Sequence, residues 1–323
     1  VKSTIIRRYG APDVLEFIDS NIGPPGSNEI LIRQSAIGVN FHDVYVRSGF
    51  YSTLTLPGIP GIEAVGIVEY VGDDVKGWIP GDRIVYVSGN YGAYTSHRLL
   101  DQRLALRLPD SIADEVAAAL FVRGLTVEML TSQLLQVTAG QNVLIHSAAG
   151  TVGSLLARRC AQKGASVIGT VSRTEKIQRA KESGCRAVYL YSDPEVSASI
   201  REITGGRGID IVFDSVGRET IDISFECLRS LGHLIIFGQS SGLVPDIEVA
   251  RLAKKSLTVS RPILFDFLKE RERHTAMAES VFSSIIAHEI TAPIIKHFAL
   301  SNADLAHELI EDRTNDSAIV LIP

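Results

Sequence analysis

Apolar and polar positions change their period partway along the chain. From Ser3 to roughly Leu108 the segments are short and apolar residues often alternate, as in Glu29 to Arg33. Pro24, Pro25, Gly58, Pro60, Gly61, Pro80 and Gly81 interrupt them. A period of two broken by turn residues predicts half-buried strands, so this stretch reads as β-rich. Around Ser111 the spacing becomes helical, and Ala113 to Leu120 and Gly124 to Gln136 carry few breakers.

A strict alternation follows. Strands are predicted at Asn142 to His146, Ser166 to Val171, Ala187 to Tyr191, Ile209 to Asp214, Leu234 to Gly238 and Leu257 to Ser260. Helices are predicted between them at Thr151 to Lys163, Glu175 to Ser183, Glu195 to Ile203 and Glu219 to Arg229. Alternating βα units build a parallel sheet covered on both faces, so the expected class is α/β with a doubly wound domain beside a β-rich one. After Pro262 the pattern is mixed, with a helix expected from Glu270 to His288. Ala318 to Leu321 reads as a strand returning to the first domain.

Composition narrows the function classes. A chain of 323 residues exceeds the size at which one core stops growing, which predicts two domains. The net charge of -5 and the lack of a basic run argue against nucleic acid as a partner. Cys160, Cys185 and Cys227 are odd in number, widely spaced and without a C-x-x-C, as suits buried thiols in a reducing cytoplasm. Val1 to Gly10 carries Lys2, Arg7 and Arg8 but no apolar run, and no stretch approaches the roughly 20 apolar residues of a membrane span. The expectation is a cytoplasmic protein without a membrane segment.

The strand ending at His146 runs through Ser147, Ala148, Ala149, Gly150, Thr151, Val152 and Gly153 into a helix. This is the strand, glycine turn, helix context of a dinucleotide fingerprint, with Ala148 in place of the first glycine. Gly150 would admit the pyrophosphate to the backbone and Gly153 would let the helix pack closely, with free N–H groups facing the phosphates. The next strand ends in Thr170-Val171-Ser172-Arg173-Thr174-Glu175-Lys176. No carboxylate stands at its tip to take ribose hydroxyls, whereas Ser172, Arg173 and Lys176 offer donors and charge to a 2′-phosphate, which favours NADPH over NADH. Arg173 and Lys176 also fit solvated residues at a helix start.

These features together resemble the medium-chain dehydrogenase/reductase superfamily over essentially the whole chain. Val39-Asn40-Phe41-His42-Asp43, with Tyr45, Arg47, Ser48, Gly49 and Tyr51, and the run Pro57 to Gly66 resemble its quinone oxidoreductase, zeta-crystallin-like branch. Asp214-Ser215-Val216-Gly217 and Phe237 to Gly242 strengthen the match. The resemblance implies a GroES-like catalytic domain at residues 1–124 and 266–323, and a Rossmann domain at 125–265. Zinc-dependent relatives hold their metal with a Cys, a Gly-His-Glu run and a later Cys. Here Asn40 stands at the Cys position, the run reads Gly61-Ile62-Glu63, and no cysteine precedes Cys160, so no metal site is expected. His42 alone is better read as a packed or hydrogen-bonded residue than as a ligand.

Without a metal, hydrogen bonds must polarise the substrate carbonyl during hydride transfer, and Asn40, Tyr45 and Tyr51 are the candidates. By resemblance Asn40 lies beside the nicotinamide, with Tyr45 and Tyr51 bordering a slot for a flat quinone; a tyrosine or water would supply the proton. The resemblance also puts Ser172, Lys176 and Tyr191 at the adenosine end, and Ser215, Val216, Phe237, Gly238 and Ser240 on the nicotinamide side. Arg313 would close over the cofactor, or belong to a surface charge cluster. The active site is expected in a cleft between the domains, and a homodimer is expected through the strand Leu257 to Ser260 at the Rossmann sheet edge. Two rivals stand beside this expectation: a reductase of enones, alkenals or enoyl thioesters, and an NADPH-binding regulatory or RNA-interacting protein.

Overall fold

Alternation along the first third of the chain places one face of each strand inside. The computed structural model describes residues 1–292, 294–312 and 314–323. One unit comprises Val1–Arg123 and Leu268–Pro323, the other Gly124–Phe267. In the first, β1 (Lys2–Ile6) and β2 (Leu15–Asp19) form an antiparallel pair. The long β3 (Glu29–Val39) buries Ile30, Ile32, Ala36, Ile37 and Val39. It leads through Asn40 into α1 (Phe41–Ser48), which Gly49 ends in the left-handed region at φ +81°. β4 (Glu63–Val71) runs antiparallel to β3, then β5 (Arg83–Val87) to β4; β6 (His97–Asp101) lies against β3 and β7 (Ala105–Arg107) against β5. The two helical stretches expected between Ala113 and Gln136 are one helix, α2 (Asp114–Glu128), which runs through Gly124 and closes in a π-helical turn at Met129–Gln133. A single glycine costs a helix about 1 kcal/mol, too little to break one so rich in alanine and leucine.

The second unit is the expected parallel sheet. Its strands are β8 (Asn142–His146), β9 (Ser166–Val171), β10 (Ala187–Leu190), β11 (Ile209–Asp214), β12 (Leu228–Ile236) and β13 (Thr258–Ser260). They stand in the order β10-β9-β8-β11-β12-β13, all parallel. The helices are α3 (Thr151–Gln162), α4 (Ile177–Glu182), α5 (Val196–Ile203), α6 (Ile221–Cys227), α7 (Val249–Ala253) and α8 (Leu264–Phe267). The order reverses between β8 and β11, which makes a crevice at the carboxyl ends of the strands there. Two expectations shift. β12 begins at Leu228 and not at Leu234, so the helix before it stops at Cys227. β12 also ends before Phe237, whose N–H turns back to the Asp214 carbonyl at 2.8 Å.

The chain then returns to the first unit with α9 (Arg271–Ile286), β14 (Ile295–Ala299), α10 (Ala303–Glu311) and β15 (Ala318–Ile322). β15 pairs parallel with β14 and antiparallel with β3, completing a seven-stranded sheet of order β14-β15-β3-β4-β5-β7 with β6 on β3. Ile319 and Leu321 join Ile30, Ile32, Ile37, Val68 and Tyr86 in its core.

Candidate active site

In the first unit the chemistry gathers where β3 passes into α1. Asn40 has extended backbone at the helix N-cap, and its N–H donates to Asp43 Oδ2 at 2.9 Å. Its side-chain Nδ2 donates to Glu63 Oε1 at 2.7 Å, and Glu63 Oε2 accepts the Val122 N–H at 3.0 Å. Asn40, Asp43 and Glu63 are all buried. The nearby Arg123 guanidinium is also buried and donates to the carbonyls of Val39 and Ala119. Burial pushes Asp43 and Glu63 each up to about 7, because a carboxylate loses its hydration faster than these partners replace it.

Asp43 also receives the Tyr94 hydroxyl, at 3.2 Å. Behind it, Tyr94 Oη meets His307 Nε2 at 2.9 Å, and His307 Nδ1 faces Arg47 Nη1 at 3.4 Å. A guanidinium only donates, so His307 Nδ1 accepts. Burial, followed by the charge of Arg47, pulls His307 down to about 3 and keeps it neutral, so its proton sits on Nε2. The bonds therefore run one way, from Arg47 through His307 and Tyr94 to Asp43. Arg47 is anchored by Glu311 at 2.6 Å and by the Gly10 carbonyl at 3.1 Å.

Beside this polar core lies an aromatic wall. Tyr45 and Tyr51 are 4.8 Å apart between ring centroids, and Phe41 and Phe50 each lie 5.1 Å from Tyr45. The backbone sets this, since the Tyr51 N–H donates to the Tyr45 carbonyl at 2.9 Å. His42 is 5.7 Å from Tyr51 and 6.0 Å from Tyr91. The structure thus brings Asn40, Tyr45 and Tyr51 onto one short helix and the turn after it. It gives one Asn40 N–H to Glu63, which the expectation of a carbonyl-polarising amide did not include.

In the second unit, the turn after β8 opens α3. Gly150 is the N-cap and no side chain caps the helix, so the N–H groups of Thr151, Val152 and Gly153 have no partner within the helix and could take an anion. A Cβ at Gly153 would collide with the Ser147 carbonyl oxygen, which is why the helix can start so close to the turn. Gly150 itself, at φ -70°, has a backbone any residue adopts. Ala149 is buried beneath the turn. After β9, Arg173 is exposed while Ser172 and Lys176 are half-buried, and Tyr191 stands alongside, its N–H on the Val171 carbonyl at 3.2 Å.

Asp214, at the end of β11, fixes the turn that follows it. Its carboxylate accepts the N–H groups of Val216 and Gly217, both at 2.9 Å, and the hydroxyls of Thr220 and Ser224. Ser240 N–H then reaches the Ser215 carbonyl at 3.1 Å, and a Cβ at Gly238 would stand 2.7 Å from that same oxygen. Because Ser224 donates to Asp214, it accepts from His146 Nε2 at 3.0 Å, leaving His146 Nδ1 to accept the Thr170 hydroxyl at 2.7 Å. The ends of β8, β9 and β11 are thereby tied together. Arg313 lies outside the described residues.

Tyr94 and His307 are not named in the sequence reading, and Asp43, Glu63, His146 and Asp214 enter it only within motifs or at a strand end, with no role in the site. Two signals could have found them: a glutamate inside the apolar run Ile62 to Val68, and an aspartate just before a turn whose amides need an acceptor.

The arrangement suits a dinucleotide with a 2′-phosphate: uncapped amides at α3 for the pyrophosphate, Ser172, Arg173 and Lys176 for the added phosphate, and small residues where backbone must approach. Residues 26–110 match the alcohol dehydrogenase GroES-like domain family, and residues 151–281 the zinc-binding dehydrogenase family. Quinone oxidoreductase 1 of Escherichia coli K12 is 38% identical over 320 residues, covering 98% of both chains. A 2-haloacrylate reductase from Burkholderia is 34% identical, covering 100% of this chain and 99% of that one. The crystal structure of Escherichia coli quinone oxidoreductase complexed with NADPH superposes with a TM-score of 0.96 at 37% identity, covering both chains fully. Among the described residues no group of three or more His, Cys, Asp or Glu side chains is placed to hold a metal ion.

Proposed function

The chain belongs to the quinone oxidoreductase branch of the medium-chain dehydrogenase/reductase superfamily, and from that membership we propose that it reduces quinones and similar electron-poor carbonyl compounds with NADPH and without zinc. The observation that carries this reading is full-length similarity to a quinone oxidoreductase whose crystal structure is of its NADPH complex.

NADPH supplies the hydride when bound. The turn from Ala149 to Gly153 holds its pyrophosphate through backbone N–H groups. Ser172, Arg173 and Lys176, with Tyr191 beside them, hold the 2′-phosphate and adenosine end. Ser215, Val216, Phe237, Gly238 and Ser240 border the nicotinamide. Asn40 offers its amide to the reacting groups, while Tyr45 and Tyr51 present ring faces to a flat substrate and a hydroxyl for its reduced oxygen. In this reading hydrogen bonds, and not a Lewis acid, polarise the substrate carbonyl, since the first unit has no cysteine to offer a thiolate. All the cysteines are buried in the second unit, and burial pushes Cys160 and Cys185 up to about 12 and Cys227 up to about 11.

Buried free thiols favour the reducing cytoplasm as the place of action. Among the described residues no helix is long and apolar enough to cross a membrane. β13, at one end of the six-stranded order, offers an open edge, and we assign to it the pairing of two copies into a homodimer.

A second reading, reduction of an activated carbon–carbon double bond, is favoured by the 2-haloacrylate reductase relative. The loss of reduced-nicotinamide absorbance separates the two, with a quinone and a 2-haloacrylate as separate acceptors, NADH replacing NADPH, and a chelator added. Chelator-resistant, NADPH-selective turnover of the quinone is expected. Turnover of the haloacrylate alone would move the substrate class and leave the cofactor, and tight NADPH binding without any turnover would sink both readings.

A further inference from the structure

Asn40 is held by two carboxylates at once, Asp43 on its backbone N–H and Glu63 on its side-chain Nδ2. The second bears on which way round the amide stands, together with the capping box in which the Asn40 side chain faces the Asp43 backbone N–H at the start of α1. An ionised Glu63 accepts and cannot donate, so Asn40 must turn its nitrogen toward it and carry its oxygen on the other side. Glu63 itself has no freedom to move. Its second oxygen is fixed by the Val122 N–H, and Gly38 is required beside it, since a Cβ there would strike Glu63 Oε1 and the Ala118 carbonyl.

We propose that Glu63 is a positioning residue for the reduction: its carboxylate decides whether Asn40 presents its amide oxygen or its NH2 group to the ligands of the site. The inference rests on the placement of Asn40 in the active site. A protonated Glu63 carries its hydrogen on Oε1, because Oε2 faces a donor. That hydrogen then needs an acceptor, and the Asn40 amide turns over to offer Oδ1. One proton on Glu63 thus exchanges an acceptor for a pair of donors at the point facing the reacting groups. The oxygen-outward form suits a carboxamide N–H or the hydroxyl of a reduced product, and the NH2-outward form suits a carbonyl oxygen.

The other groups that act on this pair are Arg123, Asp43 and the phenols of Tyr86 and Tyr94. Burial lifts Glu63 to about 7, so both forms are accessible near neutrality.

Glu63→Gln copies the protonated form. The Val122 N–H claims the oxygen of the introduced amide, which leaves its NH2 group facing Asn40 and holds the Asn40 amide turned over at every pH. The test is a double-mutant cycle of Glu63→Gln with Asn40→Ala, reading kcat and KM for NADPH and quinone from pH 5.5 to 9, with thermal melts to establish that each variant is folded. Above pH 7 Glu63→Gln should change kcat/KM by about tenfold in the presence of Asn40 and hardly at all in its absence, as coupled groups do. Near pH 5.5 the same substitution should be almost silent. Equal effects of Glu63→Gln with and without Asn40, or an effect independent of pH, would overturn the proposal. If Asn40→Ala alone leaves turnover unchanged, the error lies instead in the placement of Asn40 in the active site.

Discussion

Asp43 and Asp214 are both completely buried, one in each unit, and their surroundings treat them in opposite ways. Asp214 meets donors on both oxygens: two backbone N–H groups and two hydroxyls. Asp43 has the Asn40 N–H and the Tyr94 hydroxyl on Oδ2, while Oδ1 is buried with no partner among the described residues. Glu63 adds a second negative charge close by. A saturated carboxylate acts as a hub whose donors are the turns it organises. A half-satisfied one beside a like charge holds its own charge only conditionally.

Removing the hub should have the largest effect. Asp214→Ala leaves two backbone amides and the Ser224 hydroxyl without an acceptor, and Thr220 with only its long contact to the Gly217 carbonyl, and should cost about 3–5 kcal/mol in the stability of the second unit. Hydrogen exchange at the amides of β8, β11 and β12 reads this directly, and NADPH affinity should fall with it. A loss under about 1 kcal/mol would mean that solvent replaces the hub, and the contrast with Asp43 would collapse.

A smaller effect, of a different kind, is expected from Asp43→Asn. Asp43 is raised from 3.8 to about 7, so folding favours its protonated form. Its contribution to stability is full at low pH and is lost as pH rises from 3.8 through about 7. The substituted amide does not titrate, so the variant should gain on the wild type over that window by up to about 4 kcal/mol. His307, pulled down to about 3, shifts the opposite way and is common to both proteins, whereas Glu63 shifts the same way and is coupled to Asp43 by charge, so the gap includes the easier ionisation of Glu63 once position 43 is neutral. Melting temperatures of both proteins between pH 4 and pH 8 give the answer, and a gap that stays constant would mean that Asp43 never changes charge.

The smallest effect should come from Thr220→Val, which takes one hydroxyl from Asp214 and leaves Val216, Gly217 and Ser224 in place. A loss of about 1 kcal/mol or less, seen in the same exchange experiment, is what a shared hub predicts. A loss as large as that of Asp214→Ala would show that a single bond does the holding.

Much of the second unit is legible in the sequence because fully buried parallel strands are short apolar runs with clear borders. Asn142–His146, Ser166–Val171 and Ile209–Asp214 fall where the pattern puts them. β12 escapes the pattern because its first half, Arg229-Ser230-Leu231-Gly232-His233, is mostly polar, has Leu231 at φ +61° and slips its register against β11. There the partner strand, and not the local pattern, decides the element. In the site, the motif around Asn40 yields Tyr45 and Tyr51 because they share one helix and its turn. The partners of that motif are hidden by distance along the chain. Glu63 reaches Asn40 only through the pairing of β4 with β3, and His307 reaches Tyr94 from a helix near the end of the sequence. Periodicity reads one element at a time and is blind to such pairs.

The position of β15 sets an order of events during synthesis. The six-stranded sheet is made from one uninterrupted stretch of chain, whereas the seven-stranded sheet inserts its last-made strand between β14 and β3. A ribosome that has released residues up to Phe267 has delivered every strand of the first of these sheets and none of the two that complete the other. The nascent β3 must wait, with Ile37 and Val39 unpaired on that edge, until Ala318–Ile322 emerges. Loop closure across most of the chain is the slow, exposed step in such a topology, so the half carrying Asn40 is the one for which a chaperone has most to do.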